Sequence, residues 1–334
     1  MRTVLVSGGA GFLGSHLVEE LLEGGAVVRV VDNLSTGSLA NLQAAADRHA
    51  RGGTTLNGGR LEVIIGDIRD RELLRKALLG VKYVFHLAAL PASGSTIADS
   101  VGIHAVNVEG TLNVLHGALT EGVWRVVLAS CASVYGAPET MPVTEDAPLR
   151  PTSLFAASKV AAETYGRAFH ACHHLDTVIL RYFSVYGPRQ KPGSGGPLVG
   201  NVIEAIRQRR GLVNRPELGT NDFINVDDAV AATVAAGRAP RAAGHAINVG
   251  SGQAASVEEL MQVVGNALGT AFVPSAGSGR GVGSTQVTAG IARAAELLDF
   301  APRVSLVEGV GRLVRVMAEA EQPRPDTLAS VGLD

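Results

Sequence analysis

Three glycines that follow a short apolar run near the amino terminus constrain the fold of this chain more than any other feature. The run Thr3 to Ser7 leads into Gly8, Gly11 and Gly14, and an apolar-periodic segment then leads to a second run that ends in Asp32. This order predicts a strand, a tight turn, a helix and a second strand. A helix that starts in such a turn presents free N–H groups and the positive end of its dipole. The pattern therefore predicts a site for the pyrophosphate of a dinucleotide.

Each of these residues has its own task in that prediction. Gly8 permits the turn off the strand, Gly11 lets a phosphate approach the backbone, and Gly14 lets the helix pack closely on the sheet. Asp32 is placed to accept hydrogen bonds from the ribose hydroxyls, and its charge repels a 2′-phosphate, so NAD is favoured over NADP. The alternative is a glycine-rich turn in an α/β domain that binds no nucleotide. The strands on both sides and Asp32 disfavour it.

Strand and helix patterns alternate through the first half of the chain. Helical periodicity separates most of the apolar runs, which are Thr3 to Ser7, Val27 to Val31, Leu61 to Ile65, Tyr83 to Leu87, Arg125 to Ala129 and Thr177 to Arg181. This alternation predicts an α/β fold, a doubly wound parallel sheet with helices on both faces. The prediction assigns residues 1–180 to a nucleotide-binding domain, 181–321 mainly to a smaller lobe interleaved with the last sheet elements, and 322–334 to a tail. The glycine-rich segment 49–59 is predicted to be a surface loop.

Composition excludes several classes of protein. The 334 residues carry a net charge of −2 without a basic run, so nucleic acid is not an expected partner. No stretch approaches the roughly 20 continuous apolar residues of a membrane span. The two cysteines give no framework of disulfides or metal ligands, and the first strand begins too early for a signal peptide, so we expect a cytoplasmic protein.

Three further segments carry side chains that suit a cofactor site. Asp67 follows the third predicted strand, where it either binds the adenine amino group or caps a helix. Small residues after His86 end the fourth strand, at the edge where open α/β sheets bind ligands. His86 itself is expected to be structural. Asn107 lies on the apolar side of a helical pattern and needs buried partners, which predicts that it fixes a neighbouring loop.

Taken together, these segments resemble the extended short-chain dehydrogenase/reductase superfamily, in its nucleotide-sugar epimerase and dehydratase branch. The resemblance covers nearly the whole chain and implies a Rossmann-type fold, bound NAD, and a sugar nucleotide such as a UDP- or dTDP-sugar in the carboxyl-terminal lobe. It also implies a homodimer formed through the helices that carry Asn107 and Lys159. The matching motifs are Ser7–Gly14, Asp32–Gly37, Gly66–Asp67, His86–Ala89, Val106–Thr111, Ser133–Gly136, Ser158–Lys159, Leu180–Phe183, Tyr186–Pro188 and Asp222–Asp228.

The resemblance implies two sets of binding residues. The predicted cofactor contacts are Gly8, Gly11, Phe12, Leu13, Gly14, Asp32, Asn33, Ser35, Thr36, Gly37, Asp67, Ile68, Leu87, Ala88, Ala89, Asn107, Lys159, Tyr182 and Ser184. Among these, Tyr182 is expected either to pack against the nicotinamide or to be an ordinary core aromatic. The predicted substrate contacts are Ser93, Ser133, Ser184, Asn201, Asn221 and Arg280.

The catalytic positions depart from the family pattern. In the family a tyrosine, with a lysine four residues later, removes a hydroxyl proton while hydride moves to NAD, and a Ser or Thr binds the same oxygen. Here Phe155 stands in the tyrosine position before Lys159, and Cys131 stands in the Ser/Thr position. A thiol beside an ammonium and an oxidised nicotinamide is expected to have a lowered pKa, so Cys131 is the predicted proton acceptor. The alternative for Cys131 is a small buried residue at a strand end.

Other departures lie on the substrate side. Ser184 replaces an expected Asn, Asn221 replaces an expected Arg, and a late Arg-x-Gly-Asp element survives only around Arg280. Ala132 and Ser133 stand where family dehydratases and decarboxylases carry acids, so neither of those reactions is supported. Epimerisation or keto reduction remains.

Three explanations of Phe155 stay open. One is a designed replacement in an ordinary epimerase, which leaves the other departures unexplained. The second is an enzyme with altered acid–base chemistry, either an epimerase or a ketoreductase for a non-nucleotide metabolite. The third is a catalytically silent NAD-binding protein. A metal site is not expected, because the cluster of Cys172 and its neighbouring histidines lies at a helix end and is interpreted as a solvated face.

Overall fold

A seven-stranded sheet with the order β3-β2-β1-β4-β5-β6-β9 organises the molecule. Every neighbouring pair in this sheet runs parallel. The computed structural model describes residues 2–49, 60–91, 97–191, 198–208, 219–270 and 287–321. The strands of the large sheet are β1 Thr3–Ser7, β2 Val27–Asp32, β3 Leu61–Ile65, β4 Tyr83–His86, β5 Arg125–Cys131, β6 Asp176–Tyr182 and β9 Ala246–Val249. The predicted doubly wound α/β sheet is confirmed.

Helices cover both faces of this sheet. The helices are α1 Phe12–Glu23, α2 Ala40–His49, α3 Arg71–Leu78, α4 Ile97–His104, α5 Thr111–Thr120, α6 Leu154–His173, α7 Leu198–Arg207, α8 Val226–Arg238, α9 Val257–Ala267, α10 Ala292–Leu298 and α11 Leu306–Glu321. A π-helical turn, Ala105–Gly110, joins α4 to α5, and short 3₁₀ turns cover Ala132–Tyr135 and Pro240–Ala242. One apolar core lies between the sheet and α1, α2, α8 and α10, and a second lies between the sheet and α3 and α5.

Polar side chains define where several helices begin. Asp70 caps α3 by accepting hydrogen bonds from two backbone N–H groups, and Ser153 caps α6 in the same way from the N–H of Ala156. Asn225 caps α8, and Ser256 with Glu259 forms a capping box on α9. Helix α8 is absent from our sequence prediction. Its cap, followed by two acids in the first turn, is the signal that could have identified it.

The carboxyl-terminal half builds a separate lobe and also completes the large sheet. Strands β7 Ser184–Tyr186, β8 Thr220–Asn225 and β10 Ala254–Ser256 form a three-stranded sheet. Helices α7, α9 and α11 pack around a third apolar core beside it. Because β9 returns to the edge of the large sheet, this half of the chain is interleaved with the nucleotide-binding half. Of the predicted loop 49–59, His49 is the last residue of α2, and residues 50–59 lie outside the described residues, as does the predicted tail 322–334.

A buried ion pair fixes the long helix α6 on the sheet. Arg181 of β6 is 1% exposed, and its guanidinium donates to both carboxylate oxygens of Glu163 on α6. The Ser130 hydroxyl donates to the same carboxylate at 2.5 Å. A charge-assisted, multiply bonded pair of this kind sets position and rotation of a helix more strictly than apolar packing does. It therefore fixes the helix turn that precedes Glu163, which carries Lys159.

Candidate active site

A groove of about 460 Å³ lies at the carboxyl ends of β1, β2 and β4. Strand order reverses at β1, because β2 lies on one side of it and β4 on the other, and open α/β sheets bind ligands at such a point. We call it the edge groove. Its lining comprises Gly8, Gly11, Phe12, Leu13, Gly14, Val31, Asp32, Asn33, Ser35, Thr36, Gly66, Asp67, Ile68, Arg69, Leu87, Ala88, Ala89, Leu90, Pro91, Gly102, Val106, Ala129 and Phe155. Most of the predicted cofactor contacts are among these residues.

The glycine loop fits its place only without side chains. Gly8 has φ 75°, and a Cβ there would lie 2.7 Å from the backbone nitrogen of Ala88. A Cβ on Gly14 would lie 2.8 Å from the Cα of Gly9, closer than real Cβ atoms approach backbone. A Cβ on Gly11 would meet only the Gly8 carbonyl oxygen, at 3.2 Å. Gly8 and Gly14 are thus required for the close packing of the loop. Gly11 is not, and its lack of a side chain leaves space for a ligand on the open side of the loop.

The first turn of α1 is prepared for an anion. Gly11 is its N-cap residue and has no side chain to cap the helix, and the first turn, Phe12 to Ser15, carries no acid. Unpaired N–H groups and the positive end of the helix dipole therefore face the edge groove. This arrangement fits a dinucleotide pyrophosphate. The residues that would hold NAD here are those of the glycine loop, with Phe12 and Leu13 beside it.

Acidic side chains lie at the opposite end of the groove. Asp32 accepts hydrogen bonds from the N–H of Ala10 at 2.9 Å and from that of Leu34 at 2.8 Å, and its remaining lone pairs are available to a ligand. Asp67 forms a bidentate pair with Arg69, which holds the pKa of the Asp67 carboxyl down at about 2. Asp67 is therefore ionised at neutral pH. It does not cap the helix, since Asp70 does, so that alternative is wrong.

Neighbouring residues shape the ribose end and the groove wall. Asn33 links the two strand ends by donating to Asp67 and accepting from the N–H of Ser35. Gly37 does not line the groove, because it lies against Ala10, whose carbonyl oxygen would be 2.9 Å from a Cβ at this position. It supports the glycine loop instead.

Asn107 acts on the groove through a loop. It is 1% exposed, accepts from the N–H of Leu90 at 2.7 Å and donates to the Leu90 carbonyl at 3.1 Å. It also donates to the hydroxyl of Ser158, which in turn donates to the carbonyl of Phe155. The predicted buried partners are therefore present. Asn107 ties the groove wall at Leu90 to the first turn of α6.

Phe155 and Lys159 define the end of the groove where the reaction is expected. The Phe155 ring lines the groove beside Ala129. Lys159, one turn later on α6, is 7% exposed, and its ammonium donates to the Ala129 carbonyl at 2.9 Å and lies 5.7 Å from the Phe155 ring centroid. Burial lowers the pKa of Lys159 from its ordinary value. Lys159 is therefore not a solvated helix lysine.

Cys131 does not have the lowered pKa that we expected. Its Sγ lies 2.8 Å from the Ser133 hydroxyl, in a hydrogen bond. Burial raises the pKa of the Cys131 thiol, and this outweighs the lowering effects of Ser133 and of the Lys159 charge. Among the protein's own groups the expected lowering of the Cys131 pKa is therefore not found. The role of Cys131 as proton acceptor stays a prediction.

Two other residues near the sheet edge are structural. Both ring nitrogens of His86 have partners, the Ser7 hydroxyl at 2.6 Å and the Thr111 hydroxyl at 2.9 Å, and burial lowers the pKa of His86 to about 3. The expectation that His86 is structural agrees with this. Tyr182 is not in the groove lining but in the core, where its hydroxyl pairs with Thr233 at 2.7 Å. Of its two predicted roles, the core aromatic is therefore correct.

The predicted substrate residues are spread over the second half of the site. Ser133 is exposed on the 3₁₀ turn after β5. Ser184 and Asn221 lie on the neighbouring strands β7 and β8, with Ser184 opposite Phe223, and Asn201 lies on α7. Ser93 and Arg280 lie outside the described residues. Their roles as substrate contacts stay predictions.

Several groove residues escaped our prediction. Most of these residues directly precede or follow a predicted contact in the chain. That position next to a predicted contact is the sequence feature that could have identified them. These residues are Val31, Gly66, Arg69, Leu90, Pro91, Gly102, Val106 and Ala129. No group of three or more metal-ligating side chains occurs in the described residues, which include the histidines near Cys172. Among the described helices, none is long and apolar enough to cross a membrane.

The fold and the edge groove define an α/β enzyme that binds a dinucleotide at the switch point of its sheet. Residues 4–250 match the NAD dependent epimerase/dehydratase family. The chain belongs to this family, and NAD is its cofactor. It is thus an NAD-dependent, epimerase-like enzyme of the extended short-chain dehydrogenase/reductase type.

Named relatives extend this match to nearly the full length. UDP-glucose 4-epimerase of Mycolicibacterium smegmatis is 35% identical over 325 residues, which cover 96% of this chain and 100% of the relative. The crystal structure of UDP-glucose 4-epimerase with UDP-glucose from Thermotoga maritima has a TM-score of 0.85 and 28% identity, covering 96% of this chain and 100% of that one. The Thermus thermophilus UDP-glucose 4-epimerase complex with NAD has a TM-score of 0.80 and 30% identity, with the same coverage.

Proposed function

We propose that this chain epimerises a UDP- or dTDP-hexose by transient oxidation of one sugar hydroxyl. The observation that carries the proposal is a groove suited to NAD that reaches Phe155 and Ala129, with the buried Lys159 hydrogen-bonded to the Ala129 carbonyl. Phe155 and Lys159 stand at the two positions where the family does its chemistry. The relatives named UDP-glucose 4-epimerase match over their whole length and support it. When bound, NAD supplies the hydride acceptor and donor.

The chain's own residues have three tasks in this reaction. The α1 terminus and the glycine loop bind the cofactor phosphates, and Asp32 binds its ribose. The wall from Leu87 to Leu90, held by Asn107, keeps water from the nicotinamide end. Lys159 contacts the cofactor at that end. These tasks need no tyrosine, so Phe155 leaves cofactor binding intact and changes only the proton route.

The turn after β5 favours epimerisation over elimination. Cys131, Ala132 and Ser133 follow one another there, and none of them carries a carboxyl group. Water elimination from a keto sugar needs an acid and a base beside the leaving hydroxyl. Ser184 and Asn221 replace residues that the family uses near the diphosphate, so we expect a raised KM for the nucleotide sugar.

The exposed face of α4 and α6 supports a homodimer. Val101 on α4 is 71% exposed and Leu154 on α6 is 45% exposed, and a groove of about 620 Å³ lies between these helices. Exposed apolar residues around a groove are typical of contact surfaces between subunits. The two free thiols, Cys131 and Cys172, fit the reducing cytoplasm in which we place the protein.

The decisive experiment measures interconversion of UDP-glucose and UDP-galactose, and of other UDP- and dTDP-hexoses, by NMR without added NADH. We expect slow conversion by the native chain and a gain of about 100-fold in Phe155→Tyr, the size of a typical general-base effect. Phe155→Leu is the matched control and gives no gain. Absence of conversion by both the native chain and Phe155→Tyr would overturn the proposal. Stoichiometric NADH consumption would identify a ketoreductase instead.

A further inference from the structure

With Phe155 in place of the phenol, another group must exchange the proton with the sugar hydroxyl. Two ionisable neighbours of Lys159 are occupied. His86 has a partner on each ring nitrogen and a pKa of about 3 because burial disfavours its cation. Glu163 is 2% exposed and accepts hydrogen bonds from Arg181 and Ser130. Neither can reach a substrate without breaking buried hydrogen bonds.

Two further groups on the β5 side are equally unsuited. Burial raises the pKa of the Cys131 thiol, so it does not supply a base at neutral pH. The Tyr135 hydroxyl donates to Asn248 at 2.6 Å and accepts from Arg181 at 2.9 Å, and burial raises its pKa to about 12. The segment 92–96, outside the described residues, has the sequence Ala-Ser-Gly-Ser-Thr and carries no ionisable side chain.

Lys159 differs from all four groups. Within the described residues its ammonium has one hydrogen-bond acceptor, the Ala129 carbonyl at 2.9 Å, although an ammonium has three protons to donate. The carbonyl belongs to a residue that lines the groove, and the Phe155 ring beside it lines the groove as well. A neutral amine can keep its bond to Ala129 and still hold a lone pair for a second partner. Phe155 lacks the phenol oxygen that would otherwise stand between the amine and the substrate.

We propose that Lys159 is itself the acid and base of the reaction, directly or through one water in the place of the missing phenol oxygen. This inference rests on the proposed epimerase function. The lone pair of the Lys159 amine takes the proton of the reacting hydroxyl, and NAD held in the edge groove would accept the hydride of the same carbon, so that C–O becomes C=O. After the ketone turns, the Lys159 ammonium returns the proton to the oxygen, and the reduced cofactor would return the hydride to the other face of the carbon. Each turnover therefore restores both the amine and the cofactor.

The charges around Lys159 are consistent with this role. Burial lowers the pKa of Lys159, while Cys131 on β5 and Glu163 on α6 oppose the shift. His86 on β4 is neutral and adds no charge. A bound oxidised nicotinamide adds a positive charge and lowers the pKa of Lys159 further. The fraction of neutral amine therefore rises when the cofactor is in place.

The first test reads the protonation of Lys159 without turnover. The chain has four lysines, Lys76, Lys82, Lys159 and Lys191, so the ¹³Cε-lysine NMR spectrum has few signals and Lys159→Arg assigns the relevant one. We expect the Lys159 signal to titrate below its ordinary pKa of 10.5, and lower still with NAD. Lys76 is exposed on α3 and serves as the internal control. A Lys159 signal that titrates together with Lys76 would overturn the inference.

The second test compares turnover. Lys159→Arg keeps a positive charge but cannot deprotonate, so we expect turnover at saturating NAD to fall by about 100-fold or more, with the Kd for NAD measured separately. The pH dependence of kcat in the native chain should rise through the pKa measured by NMR. In the Phe155→Tyr background the same Lys159→Arg change should cost far less, because tyrosine takes the proton. If Lys159→Arg lowers turnover equally in the native chain and in Phe155→Tyr, Lys159 has a positioning role only. If every variant is inactive, Phe155→Tyr included, the epimerase function is refuted, while the NMR titration of Lys159 remains valid.

Discussion

Gly14 offers the sharpest test of how the glycine loop is built. In Gly14→Ala the new Cβ would lie 2.8 Å from the Cα of Gly9 and 2.9 Å from the carbonyl carbon of Gly8, where ordinary contacts begin at 3.4 Å. All of these neighbours are backbone atoms, so the strain cannot be relieved by a side-chain rotation. The carbonyl oxygen of Gly8 would be closer still, so the loop must move by about one ångström, and forced overpacking of this kind costs about 1 to 3 kcal/mol.

That displacement acts on the groups that hold the cofactor phosphates. Because about 1.4 kcal/mol is a factor of ten, we expect the Kd for NAD to rise by about 10- to 100-fold in Gly14→Ala. The melting temperature should fall as well, since Gly14 is buried at the start of α1. Isothermal titration calorimetry with NAD and thermal unfolding measure the two effects on the same samples.

Two matched glycine variants separate packing from ligand contact. Gly311→Ala lies in α11, where a Cβ meets nothing within 4 Å, so NAD affinity should be unchanged and stability should rise by up to about 1 kcal/mol. Gly11→Ala meets only the Gly8 oxygen at 3.2 Å, so the fold should tolerate it while NAD binding weakens. A native Kd for NAD in Gly14→Ala would refute this account of the loop. So would equal destabilisation in Gly11→Ala and Gly14→Ala.

Two other regions give testable expectations. His86 has a pKa of about 3 in the fold against an ordinary value of 6.5, so between these values the unfolded chain binds a proton that the native chain does not, and stability falls as pH falls. At about 1.4 kcal/mol per pKa unit, the loss in the free energy of unfolding approaches 5 kcal/mol. Urea unfolding across this pH window should show a smaller loss in His86→Gln than in the native chain. Stability curves against pH that run parallel for the two proteins would contradict this expectation. Val101→Glu on the α4–α6 face should weaken the proposed homodimer by more than about 10-fold in light scattering, whereas Val307→Glu, equally exposed on α11, should not. Equal effects of the two variants would remove the proposed interface.

The sheet and the cofactor side of the site could be predicted from sequence because local rules determine them. A buried parallel strand needs a continuous apolar run, and five of the predicted runs differ from the observed strands by no more than one residue at either end. The sixth, Arg125 to Ala129, ends two residues before β5 does. Gly8 and Gly14 are required by backbone contacts a few residues away. Such short-range requirements can be recognised in the sequence as the spacing of the glycines.

The properties that could not be predicted from the sequence depend on long-range contacts. The low pKa expected for Cys131 considered its charged neighbours but not its burial, which depends on how β5 and the following turn pack. Tyr182 follows the last predicted strand, where an aromatic side chain could contact the nicotinamide. Its hydroxyl instead pairs with Thr233 on α8, a helix that is absent from the prediction. The expectation for Cys131 and the open choice for Tyr182 both lacked one piece of information, the depth at which the side chain lies. Desolvation is a property of the assembled fold and leaves no local pattern.

The same desolvation distinguishes a silent NAD-binding protein from an enzyme that has changed its proton route. Burying the Lys159 amine, which has one acceptor within the described residues, costs free energy because an ammonium in an apolar environment loses its hydration. In a protein that only binds NAD, a lysine beside the cofactor gains nothing from a lowered pKa, because its full charge serves the contact best. In an enzyme that lacks the phenol, the same burial lowers the pKa of Lys159 and so makes its proton easier to release. The burial of Lys159 beside Phe155 therefore favours an active enzyme over a silent one.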